Sequence, residues 1–301
     1  MKRTFSWMAI AGLLVSPAVQ AQDAAVFRPS SAWAADYGDE YCGLVREFTN
    51  GEDTITLAFQ RVQPGADTQL MLIGDAIKTF RGAEELGWHF LPNDAERKSR
   101  YGRGEVDGKQ YLRLDNVVLM PFSPPAAGAA FAPPTYDRAA EQAAARTLNG
   151  LLVSTGLTKP VRIETGALGA PIGALQACTD DLIKTWGLDP EKHKTMSTPA
   201  VMNPNPDGIL PQGTIPFSDF AKFAGGGNQV RLMLDASGKP TSCTIFAPTL
   251  DKALNDRICQ IVMEKASFTP AKDAAGEAMA SYWMGSPMFL GPPMAMGGRG
   301  R

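Results

Sequence analysis

The sequence predicts an α+β protein: a β-rich N-terminal domain with helices, followed by a small strand–strand–helix–strand unit. Three observations lead there. Apolar and polar residues alternate with period two through much of the first half, as strands with one buried face require. Apolar residues recur at helical spacing in two later segments. The 301 residues also include 30 glycines and 23 prolines, a composition that suits short strands joined by turns better than a helical bundle.

The first 21 residues read as an export leader. Lys2 and Arg3 precede an apolar stretch from Phe5 to Val15, Ser16 and Pro17 break it, and Val19 and Ala21 hold the small-residue positions of a cleavage site. That stretch falls short of the roughly 20 apolar residues a membrane span needs. The expectation is therefore cleavage after about Ala21, a periplasmic location and no stable membrane insertion. Removing Lys2 and Arg3 takes two positive charges from a formal net charge of −2, leaving −4. Without a concentrated basic footprint, a nucleic-acid partner is excluded.

Residues 22–198 form the expected β-rich domain. Tyr41 to Ile73 reads as antiparallel structure, with Asn50 and Gly51 as a hairpin turn, Thr54, Thr56 and Ala58 alternating against Ile55, Leu57 and Phe59, and Pro64 and Gly65 before Thr68 to Ile73. Asp107 and Gly108 turn the chain into a strand from Gln110 to Met120. Pro121, Pro124, Pro125, Pro133 and Pro134 mark an irregular loop. An alanine-rich helix follows from about Tyr136 to Leu148, then short strands at Leu151 to Ser154 and Val161 to Glu164. Ile172, Leu175, Cys178, Leu182 and Trp186 define a second helix that opens at Pro171 and closes at Gly187. Residues 199–216, with Pro199, Pro204, Pro206, Pro211 and Pro216, are the expected interdomain linker, and residues 291–301 a disordered tail.

Four cysteines, an even number in a chain with an export leader, predict disulfides. Three connectivities are possible; the spacing favours Cys243 with Cys259, leaving Cys42 with Cys178. The absence of a CxxC spacing makes their expected role stability.

In residues 217–290, Val230, Leu232 and Leu234 alternate with Arg231, Met233 and Asp235, and Ser237 and Gly238 turn the chain toward Cys243, Ile245 and Ala247. Leu250, Leu254, Ile258, Ile261 and Val262 then mark a helix with Thr249 as its N-cap and Asp251 in its first turn. Asp273 to Gly276 turn toward a final strand from Met279 to Phe289. The run VRLMLDASGKPTSC, the helix beginning LDKALNDRIC, the segment ASFTPAKDAAG and the closing strand resemble the TonB C-terminal domain in their order. The Cys243 and Cys259 pair resembles that of TonB-like domains in exported alphaproteobacterial proteins. The resemblance implies a β-β-α-β domain that captures an envelope protein or peptide by strand addition, with Met279, Ser281, Tyr282, Trp283 and Met284 as the partner-binding strand. A membrane anchor, a long spacer and the family's opening Tyr-Pro pair are absent from the pattern, which separates this chain from the energy transducers.

Chemistry-bearing motifs are few. His89 and His193 lie far apart and away from the cysteines, and no HExxH, GxSxG or SxxK pattern occurs. Glu164, Thr165 and Gly166 are similar to an aspartic-protease signature but have Glu for Asp and no second copy. Gly225 to Gly227 precede a strand, the wrong order for a phosphate loop. Met279, Met284, Met288, Met294 and Met296 lack the histidines or repeated spacing of a copper site. No cofactor, metal or catalytic residue is expected. The alternative to a binding protein is an envelope hydrolase with a carboxylate site around Asp39, Glu40 and Glu164.

Overall fold

The computed structural model describes residues 23–120, 136–205, 208–211, 213–216, 218, 229–246 and 251–286. The leader, the proline-rich loop, the triple glycine, the expected cap Thr249, the end of the final strand and the tail lie outside these residues. The described residues form a strand-rich α+β structure with two separate hydrophobic cores.

The first unit begins with β1 (Ala25–Pro29), β2 (Ala34–Tyr37), β3 (Cys42–Thr49), β4 (Thr54–Arg61) and β5 (Thr68–Ile73). It continues through β6 (Glu85–Leu91), β7 (Arg97–Arg100), β8 (Gly102–Val106) and β9 (Lys109–Val117). After α1 (Arg138–Thr147) come β10 (Gly150–Thr155), β11 (Val161–Ile163), α2 (Gly169–Thr185) and α3 (Pro190–Lys194). The eleven strands form one sheet in the order β7-β6-β10-β11-β1-β3-β4-β5-β9-β8, with β2 beside β3.

That sheet bends back on itself at two corners. At the first, Ala25 to Phe27 of β1 pair in parallel with β11, while Arg28 and Pro29 pair antiparallel with β3. At the second, only Tyr101 separates β7 from β8, the strands at opposite ends of the order. The two halves therefore face each other across a shared interior: Phe59 of β4 and Phe90 of β6 stack with centroids 6.4 Å apart. Folding a sheet into a near-barrel removes most of the unpaired edge that a flat sheet would expose.

The predicted strands from β3 to β5 and at β9 are present, and so is the Asp107–Gly108 turn, whose two positive φ angles of 51° and 75° give the two-residue hairpin geometry. The Asn50 and Gly51 turn is a four-residue loop closed by the Thr49↔Thr54 pair, because the Asn50 side chain accepts from both Glu52 N and Asp53 N. Strands β1, β2, β6, β7 and β8 had no sequence signal strong enough to assign. In β6, Gly87 and His89 stand between the buried Leu86, Trp88 and Phe90, β7 is charged, and every residue of β2 is exposed.

In β4 the alternation that turns Ile55, Leu57 and Phe59 inward also carries Arg61 into the core, where it is 1 % exposed. Its guanidinium forms a bidentate pair with Glu141 of α1 and donates from Nε to Thr68 Oγ1 at 2.9 Å. Gln176 of α2 (2.9 Å) and Tyr136 (3.2 Å) also donate to Glu141. A charge this deep is tolerable only when paired and hydrogen-bonded, and this network ties both helices to the sheet. Cys42 of β3 and Cys178 of α2 add a disulfide with Cα atoms 5.8 Å apart.

The second unit contains β12 (Val201–Met202), β13 (Gln229–Leu234), β14 (Pro240–Phe246), α4 (Lys252–Lys265), β15 (Phe268–Thr269), β16 (Ala271–Lys272), β17 (Ala278–Met279) and β18 (Ser281–Gly285). Strands β14, β13 and β18 form a three-stranded antiparallel sheet in that order. Leu254, Ile258 and Val262 of α4 share a core with Val230, Leu232 and Leu234 of β13, and Cys243–Cys259 staples α4 to β14 with Cα atoms 5.6 Å apart. The cap is Asp251, whose side chain accepts from Leu254 N at 3.0 Å, so α4 starts at Lys252.

Several described residues of the expected linker, 199–216, are packed into the second unit. β12 pairs with β15, and Ala200, Ile209, Leu210 and Ile215 are buried in the second core. The prolines masked that role: they suppress helical and strand periodicity without preventing burial.

Candidate functional site

The second unit's sheet has two occupied faces and an open edge. Register places Trp283 opposite Leu232, Tyr282 opposite Met233 and Met284 opposite Arg231. One face packs on α4 and its core, with Trp283 against Phe268 at 5.7 Å. The other meets the first unit.

That meeting is a seam of charge and rings. Arg231 forms a bidentate ion pair with Glu40 in the turn between β2 and β3, and its guanidinium lies 4.2 Å from the centroid of the Trp186 ring. Tyr282 packs edge-on against Trp186, with centroids 5.0 Å apart, and stacks with His193 of α3 at 6.1 Å. His193 Nδ1 donates to Asp189 O at 2.8 Å, and Nε2 lies 3.2 Å from Ser281 Oγ. Trp186 Nε1 and Arg231 Nε are buried there without hydrogen-bond partners among the described residues.

Burial pushes the Tyr282 phenol well above its ordinary value of 10.0, and nearby Arg231 offsets this only partly. The folded state therefore holds this tyrosine neutral at pH values where the unfolded chain ionises it. Its stabilising contribution is present below about pH 10 and is lost progressively above it. We expect Tyr282→Phe to flatten that alkaline loss in chemical denaturation curves taken from pH 8 to pH 11; an unchanged slope would show that another group carries it.

The partner-binding strand expected at residues 279–284 is altered by this packing. Met279 belongs to β17, pairs with Ala271 and is buried in the second core, and Ser281 is 1 % exposed. Tyr282 is partly buried in the seam. What these residues leave open is the outer backbone edge of β18, which has no ladder partner among the described residues. The opposite edge strand, β14, starts at Pro240 after Lys239, whereas β18 reads Ser-Tyr-Trp-Met-Gly and carries neither charge nor proline.

The carboxylates considered for hydrolysis are dispersed. Asp39 is exposed, Glu40 is held by Arg231, and Glu164 lies beside Arg28 (3.4 Å) and Arg162 (3.8 Å). Among the described residues no group of three or more His, Cys, Asp or Glu side chains is placed to hold a metal ion. His89 lies on β6 and His193 in the seam.

Sequence reasoning missed Trp186, His193 and Arg231 as a set. Arg231 occupies the polar phase of an alternating strand, the usual signature of solvent exposure, yet it is 7 % exposed because another part of the chain covers it. Both disulfides suit an oxidising, exported location, and no helix among the described residues is long and apolar enough to cross a membrane. Comparison with family models, with curated proteins and with solved structures finds no match to this chain.

Proposed function

We propose that this chain is an exported, periplasmic binding or adaptor protein, delivered by the leader at residues 1–21, whose second unit is a TonB-like β-β-α-β domain that captures an envelope protein or peptide by strand addition. The observation that carries this reading is the outer edge of β18: uncharged, free of proline and without a ladder partner among the described residues. The sheet order β14-β13-β18 with α4 on one face agrees with the resemblance in residues 217–290. Clamping of the other face through Arg231, Trp186 and Tyr282 holds the edge rigid, which lowers the ordering cost of adding a strand.

A proline at Tyr282 would disturb the seam as well as the edge, so a cleaner test uses its neighbours. In an antiparallel strand successive N–H groups point to opposite edges. Of Trp283→Pro and Met284→Pro, one removes a donor to β13 and the other removes an outward donor. With a photo-crosslinking residue at position 286 in intact cells, the variant that retains the wild-type melting transition should lose the crosslinked partner. Retention of the same adduct in that variant would sink the strand-addition reading.

A further inference from the structure

The sheet corner at Tyr101 carries an open groove of about 600 Å³, within the range of small-molecule sites, lined by Gly82, Ala83, Glu84, Arg100, Tyr101 and Arg103. Local bonding fixes its shape. Tyr101 donates its hydroxyl to Ala83 O at 2.7 Å, Ala83 N donates to Phe80 O at 3.1 Å, and β6 and β7 pair through Glu85 and Arg100. The turn from Phe80 to Ala83, just ahead of β6, passes through Gly82 at a φ of 83°.

Glu84, Arg100 and Arg103 are all exposed, and none forms an ion pair or side-chain hydrogen bond among the described residues. Three unpaired charges around one groove leave two guanidinium forks and one carboxylate unanswered.

We propose that this groove binds a small ligand bearing two carboxylates and one ammonium, the chemistry of a short acidic peptide with a free N-terminus. Each arginine fork suits a carboxylate, and Glu84 suits the ammonium. An anion without a cationic group, such as phosphate, would leave Glu84 unanswered and repelled. The site lies on the first unit and does not depend on the role of β18.

Isothermal titration of the full chain with the dipeptide Ala-Glu tests the assignment. Saturable binding is expected, weakened about tenfold when the ligand is Ala-Gln or N-acetyl-Ala-Glu. The Arg100→Gln and Arg103→Gln variants should each bind Ala-Glu more weakly, with at least one of them losing the preference over Ala-Gln. Glu84→Gln should lose the preference over the acetylated form, and Arg103→Lys, which keeps the charge without the fork, should fall in between. All four substitutions are at exposed side chains, and unchanged melting curves would confirm that the fold is retained. The proposal is overturned by absence of binding at millimolar dipeptide, by equal binding of the acetylated ligand, by indifference to the arginine variants, or by inorganic phosphate binding more tightly than Ala-Glu.

Discussion

Replacing Arg61 with Met should destabilise the first unit by about 3–5 kcal/mol, the usual cost of leaving one member of a buried ion pair without its partner. Glu141 would remain fully enclosed and lose both guanidinium bonds, keeping only Gln176 and Tyr136 as donors. Urea denaturation monitored by tryptophan fluorescence should show the midpoint falling. The double variant Arg61→Met/Glu141→Met should recover much of the loss, because an apolar pair removes the unpaired charge. A double variant no better than the single one would mean that the network matters for helix placement more than for charge compensation.

The disulfides should give the second large effect, and an unequal one. Cys42–Cys178 spans 136 residues and Cys243–Cys259 spans 16. In the chain-entropy model their removal costs roughly 5 and 3 kcal/mol respectively. We therefore expect Cys42→Ala/Cys178→Ala to unfold at clearly lower denaturant than Cys243→Ala/Cys259→Ala. The order of reduction should be opposite to the order of stabilisation. Cys42 and Cys178 are buried at 0 % and 1 % exposure, whereas Cys243 and Cys259 are both partly accessible, so mild thiol treatment should open the second pair first. Alkylation followed by peptide mass mapping reads both; simultaneous release would show that the first unit opens as readily as the second.

Legibility followed the locality of the signal. Strands β3, β4, β5 and β9 announce themselves because one face is buried and one is not, so the sequence alternates. Helix α2 is visible because Ile172, Leu175, Cys178 and Leu182 line one face. β6 hides because both its faces carry buried residues, and β7 and β8 because their charges suit solvent. Arg61 could be read as inward from its phase in β4, but Glu141 lies 80 residues away and no local pattern names it.

The sequence by itself determined the α+β class, and it favoured a hairpin followed by a helix in the second unit and the pairing of Cys243 with Cys259, since those signals rest on residues close along the chain. Only the tertiary structure decided that the first sheet closes at β1 and Tyr101, that Ala200, Ile209, Leu210 and Ile215 belong to a core, and that Glu40 meets Arg231. These depend on contacts between distant segments, such as the 191 residues separating that ion pair. A chain that distant can bring either member to many partners, and which one it meets is settled by how the sheets pack around it.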